Sequence, residues 1–270
     1  ALLRALNRHF AKVVLVLNVG YPIAMDFADD IHVSAILYNG FGGMLAGQAL
    51  LNVLAGRTTP SGRLTSTWAK TYDDLPSAGN FYDCYHNEMQ RYTADFGPHL
   101  TTRYDEGVFM GYRYFVTRGR KSAFPFGYGL SYTTFTETVE SVAYQENADA
   151  VVSVRVKNTG SCPGKRVVQL YVGKPRTTID KPLRELVAFN KTETLQPGEE
   201  QSLTLCVDGR CLDVFSAADQ AYLLESGVYT LYLGEHGENV REIGCFTVPA
   251  TIVTRRTQVH MTGERSTPGY

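Results

Sequence analysis

The sequence predicts an α/β domain with a mostly parallel sheet, followed by an antiparallel β-sandwich. Three observations carry this expectation. Apolar runs of strand length alternate with helical segments in the first part of the chain. After Phe135 the pattern changes to short alternating strands separated by turn signals. The chain has 270 residues, 44% hydrophobic and 20% charged. That is globular composition, with length enough for two domains. We divide it into an α/β part at 1–135, a sandwich at 136–250 and a polar tail or linker at 251–270.

The elements follow in order. Leu2, Leu3, Leu6 and Phe10 have helical spacing. Val13 to Val19 is a continuous β-branched and leucine run, which predicts a strand buried on both faces. Val33 to Tyr38 is a second such run, ending at Asn39-Gly40. Gly42-Gly43 then opens a helix through Ala55, stopped by Gly56, with Gln48 and Asn52 on one face. This order implies parallel strands with helices on both faces, a partial α/β/α arrangement. Leu64 to Trp68 alternates weakly, like an edge strand. Lys70 to Arg103 has no sustained period and is rich in Tyr, Asp, Asn, Pro and Gly. Long irregular stretches of this kind are usually functional or mobile. In the second part, strands are expected at 151–158, 166–172, 201–205 and 227–234, with a turn at Leu195-Gln196-Pro197-Gly198-Glu199.

Composition narrows the function classes. With 26 basic and 27 acidic residues, the formal charge is -1. Nucleic acid and anionic membranes are therefore not the expected partners, since both demand a basic excess. No apolar run approaches the ~20 residues of a membrane span. Residues 1–10 lack the apolar stretch of a cleaved leader, and a cytoplasmic location is expected. Cys84, Cys162, Cys206, Cys211 and Cys245 are odd in number and contain no Cys-x-x-Cys pair, which fits reduced thiols. The histidines are scattered, so neither a metal site nor a cofactor is expected. Gly40-Phe41-Gly42-Gly43 precedes a helix, but no Lys-Ser/Thr follows. It reads as a tight turn and not as a phosphate cradle.

Four segments together carry a resemblance. The first is Lys12 to Val19 with Asn18-Val19-Gly20-Tyr21-Pro22-Ile23. The second is Gly42-Gly43, Ala46-Gly47 and Leu54-Ala55-Gly56, leading to Pro60-Ser61-Gly62-Arg63-Leu64. The third and most specific is Tyr104-Asp105-Glu106-Gly107-Val108-Phe109-Met110-Gly111-Tyr112-Arg113-Tyr114-Phe115, followed by Pro125-Phe126-Gly127-Tyr128-Gly129-Leu130-Ser131-Tyr132-Thr133-Thr134-Phe135. The fourth is Val156-Lys157-Asn158-Thr159-Gly160, Gly164, Val168 to Val172, Lys181-Pro182-Leu183-Arg184-Glu185-Leu186 and Leu195 to Glu199. In this order they resemble glycoside hydrolase family 3, in its β-glucosidase-like branch. Three departures stand out: Thr59 before Pro60, Thr65 after Leu64, and Tyr38-Asn39-Gly40-Phe41 where the family has an aromatic residue and Pro-Gly-Gln-Glu.

The resemblance implies the family's C-terminal α/β domain, truncated at its start, and a fibronectin type III-like domain. It also implies hydrolysis of O-glycosyl bonds by a retaining mechanism, with a β-linked oligosaccharide or glycoside as substrate. Such a mechanism needs two carboxyl groups about 5–5.5 Å apart. In the family the nucleophile is an Asp on a (β/α)8 barrel, and the acid/base Glu lies in a Gly-Glu-Gly-x-Asp-Arg-like segment. Neither the barrel nor that segment is found in residues 1–270. The implied partner is therefore that barrel, in cis or in trans, and this stretch alone is expected to be inactive.

Local substitutes are few. Glu106 is the best carboxylate, with Arg113 or Arg103 as the plainer, structural partner. Asp83, Glu88 and Asp95 read as solvated. Tyr104, Asp105, Tyr82 and Tyr85 are candidate sugar contacts. Packing is the plainer alternative for most aromatic residues here. Pro125 to Phe135 is expected to join the domains, and the Lys181 to Leu186 turn to brace them. Two other functions remain open: a carbohydrate-binding or scaffold module derived from such an enzyme, and one half of a split enzyme. An incomplete α/β domain should expose apolar surface, so self-association into a homo-oligomer is also expected.

Overall fold

The computed structural model describes residues 2–30, 32–79, 104–145 and 148–257. Tyr82, Asp83, Cys84, Tyr85, Glu88 and Asp95 lie outside these residues.

The α/β half is small. Helix α1 (Leu2–His9) leads to strand β1 (Val14–Leu17). A short α2 (Phe27–Asp30) precedes β2 (Ala35–Tyr38). A 3-10 turn over Gly43–Leu45 then runs into α3 (Ala46–Leu54). The two strands pair in parallel, Val14 opposite Ala35 through Leu17 opposite Tyr38. The glutamine of the expected helix face donates to Asn52 Oδ1 at 3.0 Å. The core here is Leu17, Met25 and Trp68, with the Tyr38 ring edge-on to Trp68 at 5.2 Å.

Two details differ from the sequence reading. β1 is not buried on both faces, because Val14 is exposed and only Leu17 is fully buried. Among the described residues, two strands with three short helices offer too little cover, and no side chain of α1 or α3 is fully buried. Leu64 to Trp68 forms no strand. It meets 123–128 at two points only: an isolated antiparallel bridge in which Trp68 N donates to Phe124 O at 2.9 Å and Phe124 N to Trp68 O at 3.1 Å, and Leu64, whose N donates to Tyr128 O at 2.9 Å and whose O accepts from Gly127 N at 2.8 Å.

Helix α4 (Tyr112–Thr117) follows, and then the sandwich. Its strands are β3 (Phe135–Tyr144), β4 (Ala150–Asn158), β5 (Val167–Gly173), β6 (Glu185–Lys191), β7 (Glu200–Val207), β8 (Val214–Ser216), β9 (Ala221–Leu224), β10 (Gly227–His236), β11 (Asn239–Val248) and β12 (Ile252–Arg256). They form antiparallel sheets in the orders β11-β10-β5-β6, β3-β4-β7 and β12-β9-β8. Alternation sets the register of burial. Val152, Val154 and Val156 of β4 point inward, against Leu203, Leu205 and Val207 of β7. Val168, Leu170 and Val172 of β5 and Tyr229, Leu231 and Leu233 of β10 join the same core. Each such side chain contributes about 1.5–3 kcal/mol on burial. Burial raises the Tyr229 phenol pKa to about 12, and its hydroxyl donates to Glu225 O at 2.9 Å.

Asn158, where β4 ends, is fully buried. Its Nδ2 donates to Cys162 O and Leu195 O, both at 2.8 Å. Its Oδ1 accepts from Thr133 Oγ1 at 2.7 Å and from Gly160 N at 3.1 Å. One amide thus ties three turns together, which satisfies the rule that buried polar groups be bonded. The expected tail needs correction. Residues 252–256 are a strand, paired with β9 and anchored where Thr254 Oγ1 donates to Asp213 Oδ2 at 2.7 Å. Arg255 lies 3.8 Å over the Tyr222 ring, so a basic side chain supplies the packing that an apolar one would.

Candidate functional site

Two places in the chain gather residues with a possible role: the carboxyl end of the parallel strands and the joint between the halves. In open α/β sheets, ligands and partners meet the crevice at the carboxyl ends of the strands. Here β1 runs into Asn18–Tyr21 and β2 into Asn39–Leu45. Asn39 N donates to Leu17 O at 2.9 Å, which holds the two exits side by side. A Cβ on Gly42 would stand 2.8 Å from Ala46 Cβ, so this turn needs glycine to pack on α3. The resulting surface is apolar. Tyr21 is 76% exposed, Phe41 80% and Leu45 73%, and Met44 is fully exposed. From Val33 to Gly56 no residue is charged. A contiguous apolar surface of this kind marks a contact region. It offers no carboxylate or imidazole for acid–base chemistry.

The sequence-predicted carboxylates give no second centre. Tyr104 is largely exposed and Asp105 exposed, while Glu106 is half-buried within a turn over 105–108. Phe109 N donates to Glu106 O at 3.0 Å, closing that turn. Arg113, considered above as a partner for Glu106, forms an ion pair with Glu185 at 3.0 Å. Tyr82 and Tyr85 fall outside the described residues. Among the described residues, the carboxyl groups with displaced pKa values, Asp74, Glu140 and Asp208, are all displaced downward. Hydrogen bonds lead the causes: from Thr71 to Asp74, from Ser202 and then Arg155 to Glu140, and from Arg210 to Asp208. A general acid requires the opposite displacement. Among the described residues no three His, Cys, Asp or Glu side chains gather as metal ligands.

The joint is built by residues that the sequence reading left unassigned. β5 is buried on both faces. Its even-numbered residues fill the sandwich core, while Gln169 and Tyr171 face the α/β half. Gln169 Nε2 donates to Gly127 O at 3.1 Å and to Glu235 O at 2.9 Å, and Tyr171 Oη donates to Gln169 Oε1 at 2.8 Å. Burial, then nearby Tyr112, pushes the Tyr171 phenol upward, so it stays a donor. Gly127 has φ +85°, and a Cβ there would lie 2.1 Å from Gln169 Oε1. Tyr112 of α4 stacks on Phe126 at 4.5 Å and accepts from Leu186 N at 2.9 Å. Glu185 pairs with Lys174 at 2.8 Å as well as with Arg113. Leu183 N donates to Thr117 Oγ1 at 2.9 Å. Pro125–Phe135 and Lys181–Leu186 therefore do join and brace the halves. A lone glutamine inside Val167-Val168-Gln169-Leu170-Tyr171-Val172 was the available signal for this face.

Comparison with known proteins accords with this architecture. Residues 1–132 match the glycosyl hydrolase family 3 C-terminal domain, and residues 166–237 match the fibronectin type III-like domain. A β-glucosidase of Ruminococcus albus is 38% identical over 261 residues, covering 94% of this chain and 26% of its own length. β-Glucosidase B of Emericella nidulans is 37% identical, covering 86% of this chain and 26% of its own length. Among solved structures, a β-glucosidase of Paenibacillus barengoltzii superposes with a TM-score of 0.84 at 34% identity, over 95% of this chain and 28% of that one. β-Glucosidase 3B of Thermotoga neapolitana, in complex with glucose, superposes with a TM-score of 0.81 at 33% identity, over 94% and 34%. The chain thus spans a quarter to a third of the length of these relatives. It belongs to glycoside hydrolase family 3, of which it carries the C-terminal α/β domain and the fibronectin type III-like domain.

Proposed function

We propose that this chain is the non-catalytic C-terminal part of a β-glucosidase-type hydrolase. In the complete enzyme it works with a (β/α)8 barrel, supplied in cis or in trans, to hydrolyse β-linked glycosides with retention. In this reading the bond-breaking carboxylates lie outside residues 1–270. The observation that carries this reading is the uncharged, exposed surface of Tyr21, Phe41, Met44 and Leu45, on a half that is otherwise barely covered. The relatives named above are called β-glucosidases, which supports the substrate class. In this reading the apolar surface meets the barrel side of the enzyme, and the sandwich braces the α/β half through Gln169, Tyr171 and Glu185.

The test is activity by complementation. The purified chain should not hydrolyse an aryl β-glucoside. Mixing it with the barrel-bearing remainder of the Ruminococcus albus relative should restore turnover, with the β-anomer as first product. Robust turnover by this chain alone would overturn the proposal. So would a remainder equally active without it.

A further inference from the structure

We infer that the joint between the two halves is an acid-sensitive latch, released when His236 takes up a proton. His236 ends β10, and the turn after it grips the α/β half. Gly237 N donates to Phe126 O at 2.9 Å. Glu238 Oε1 accepts from Ser122 Oγ at 2.6 Å and from Ser122 N at 3.3 Å. The His236 ring sits edge-on to Tyr128, 5.7 Å between centroids. Tyr128 O and Gly127 N are in turn bonded to Leu64, at 2.9 and 2.8 Å.

His236 Nδ1 is buried and has no hydrogen-bond partner among the described residues. A neutral ring fits this place with its proton on Nε2 and a bare lone pair on Nδ1. An imidazolium carries N–H on both nitrogens. Protonation therefore puts a buried donor where no acceptor stands, which is costly in a closed joint and harmless in an open one.

The surrounding charges oppose one another. Glu238 of the turn and Glu235 of β10 favour the imidazolium, and Arg63 of the 60–64 segment disfavours it. Arg63 is itself fixed by donation to Gly129 O. Arg166 stands beyond, held by Glu137 at 2.6 Å and Glu235 at 3.3 Å. Tyr128 supplies a ring face, and Tyr112 packs beside Gly237. Burial is the largest influence and holds the His236 pKa below its ordinary 6.5. The open joint thus binds the proton more tightly than the closed one. The latch is fully engaged above about pH 6.5 and weakens as pH falls through the closed-state pKa.

Hydrogen exchange at the Gly237 and Gly127 amides tests this directly. Between pH 7.5 and 5, after correction for intrinsic exchange, protection of both should fall several-fold, by at most about tenfold for each pH unit between 6.5 and the closed-state pKa, and level off below it. Leu231 in the sandwich core should keep its protection. In His236→Gln the joint amides should lose this pH dependence. In the wild-type chain, the His236 ring resonances should titrate with a midpoint below 6.5. An equal fall in His236→Gln, no fall in the wild type, or a ring midpoint at or above 6.5 would each overturn the inference. The ring titration decides the matter even if the variant fails to fold.

Discussion

In the sandwich, β4, β7 and β10 turn alternate side chains into one closed core. In the α/β half, neither α1 nor α3 fully buries a side chain. Both halves carry apolar runs of strand length. The difference lies in cover. The sandwich supplies both of its own facing sheets, whereas among the described residues the parallel strands have one partner each and few helices to lie against. An apolar periodicity records the burial a segment needs, and exposure records where that need is unmet. By this measure the sandwich is self-sufficient and the α/β half is a surface prepared for contact.

The sharpest way to break this comparison is to make the same deletion in both halves. Leu231→Ala opens a cavity in a closed core and should lower sandwich stability by about 2–5 kcal/mol. Leu51→Ala, at a position 49% exposed, should cost less than about 1 kcal/mol. Chemical denaturation checks both. Circular dichroism follows the sheets, and fluorescence of Trp68, the single tryptophan, follows the α/β half. Equal losses would mean that the two halves are equally closed.

The joint comes next. Gly127→Ala forces a side chain into a left-handed backbone and against Gln169, and should cost about 2–4 kcal/mol. Its signature is a Trp68 transition that separates from the sandwich transition. A single coincident transition would show that Gln169 moves aside freely. Glu185→Gln should cost about 2 kcal/mol, because Lys174, whose side chain is only 6% exposed, loses its counter-charge. Thermal unfolding should show this loss diminished by added salt only slightly, since the pair is largely shielded from solvent.

The smallest effect on stability belongs to the apolar surface. Met44→Ser and Phe41→Ser should change stability by no more than about 0.5 kcal/mol. They should, however, reduce concentration-dependent self-association in light scattering. Unchanged association would place the sticky surface elsewhere.

The legible parts of the fold share one property: their periodicity and their burial agree. β4 reads as alternation because Val152, Val154 and Val156 all face one core. β12 escaped notice for the opposite reason. All five of its residues are exposed, so Ile252-Val253-Thr254-Arg255-Arg256 has no buried face to leave a pattern. The family was legible because glycine turns and the Lys157-Asn158-Thr159-Gly160 corner are rigid requirements of the backbone. The joint was not, since Gln169, Tyr171, Tyr112 and His236 are brought together by tertiary packing across large separations in the chain. Among the site candidates, Tyr104, Asp105 and Glu106 lie on one turn by simple adjacency. Nothing in their spacing could say whether a second carboxylate would face them.

The amide knot at Asn158 has a practical consequence for dissecting the protein. Thr133, which occupies one of its acceptor sites, precedes the first sandwich strand. A fragment cut at residue 136 would leave that buried oxygen short of a donor and let water into the corner. The excisable unit therefore starts upstream of Thr133, and a protease survey should find its first durable N-terminus there.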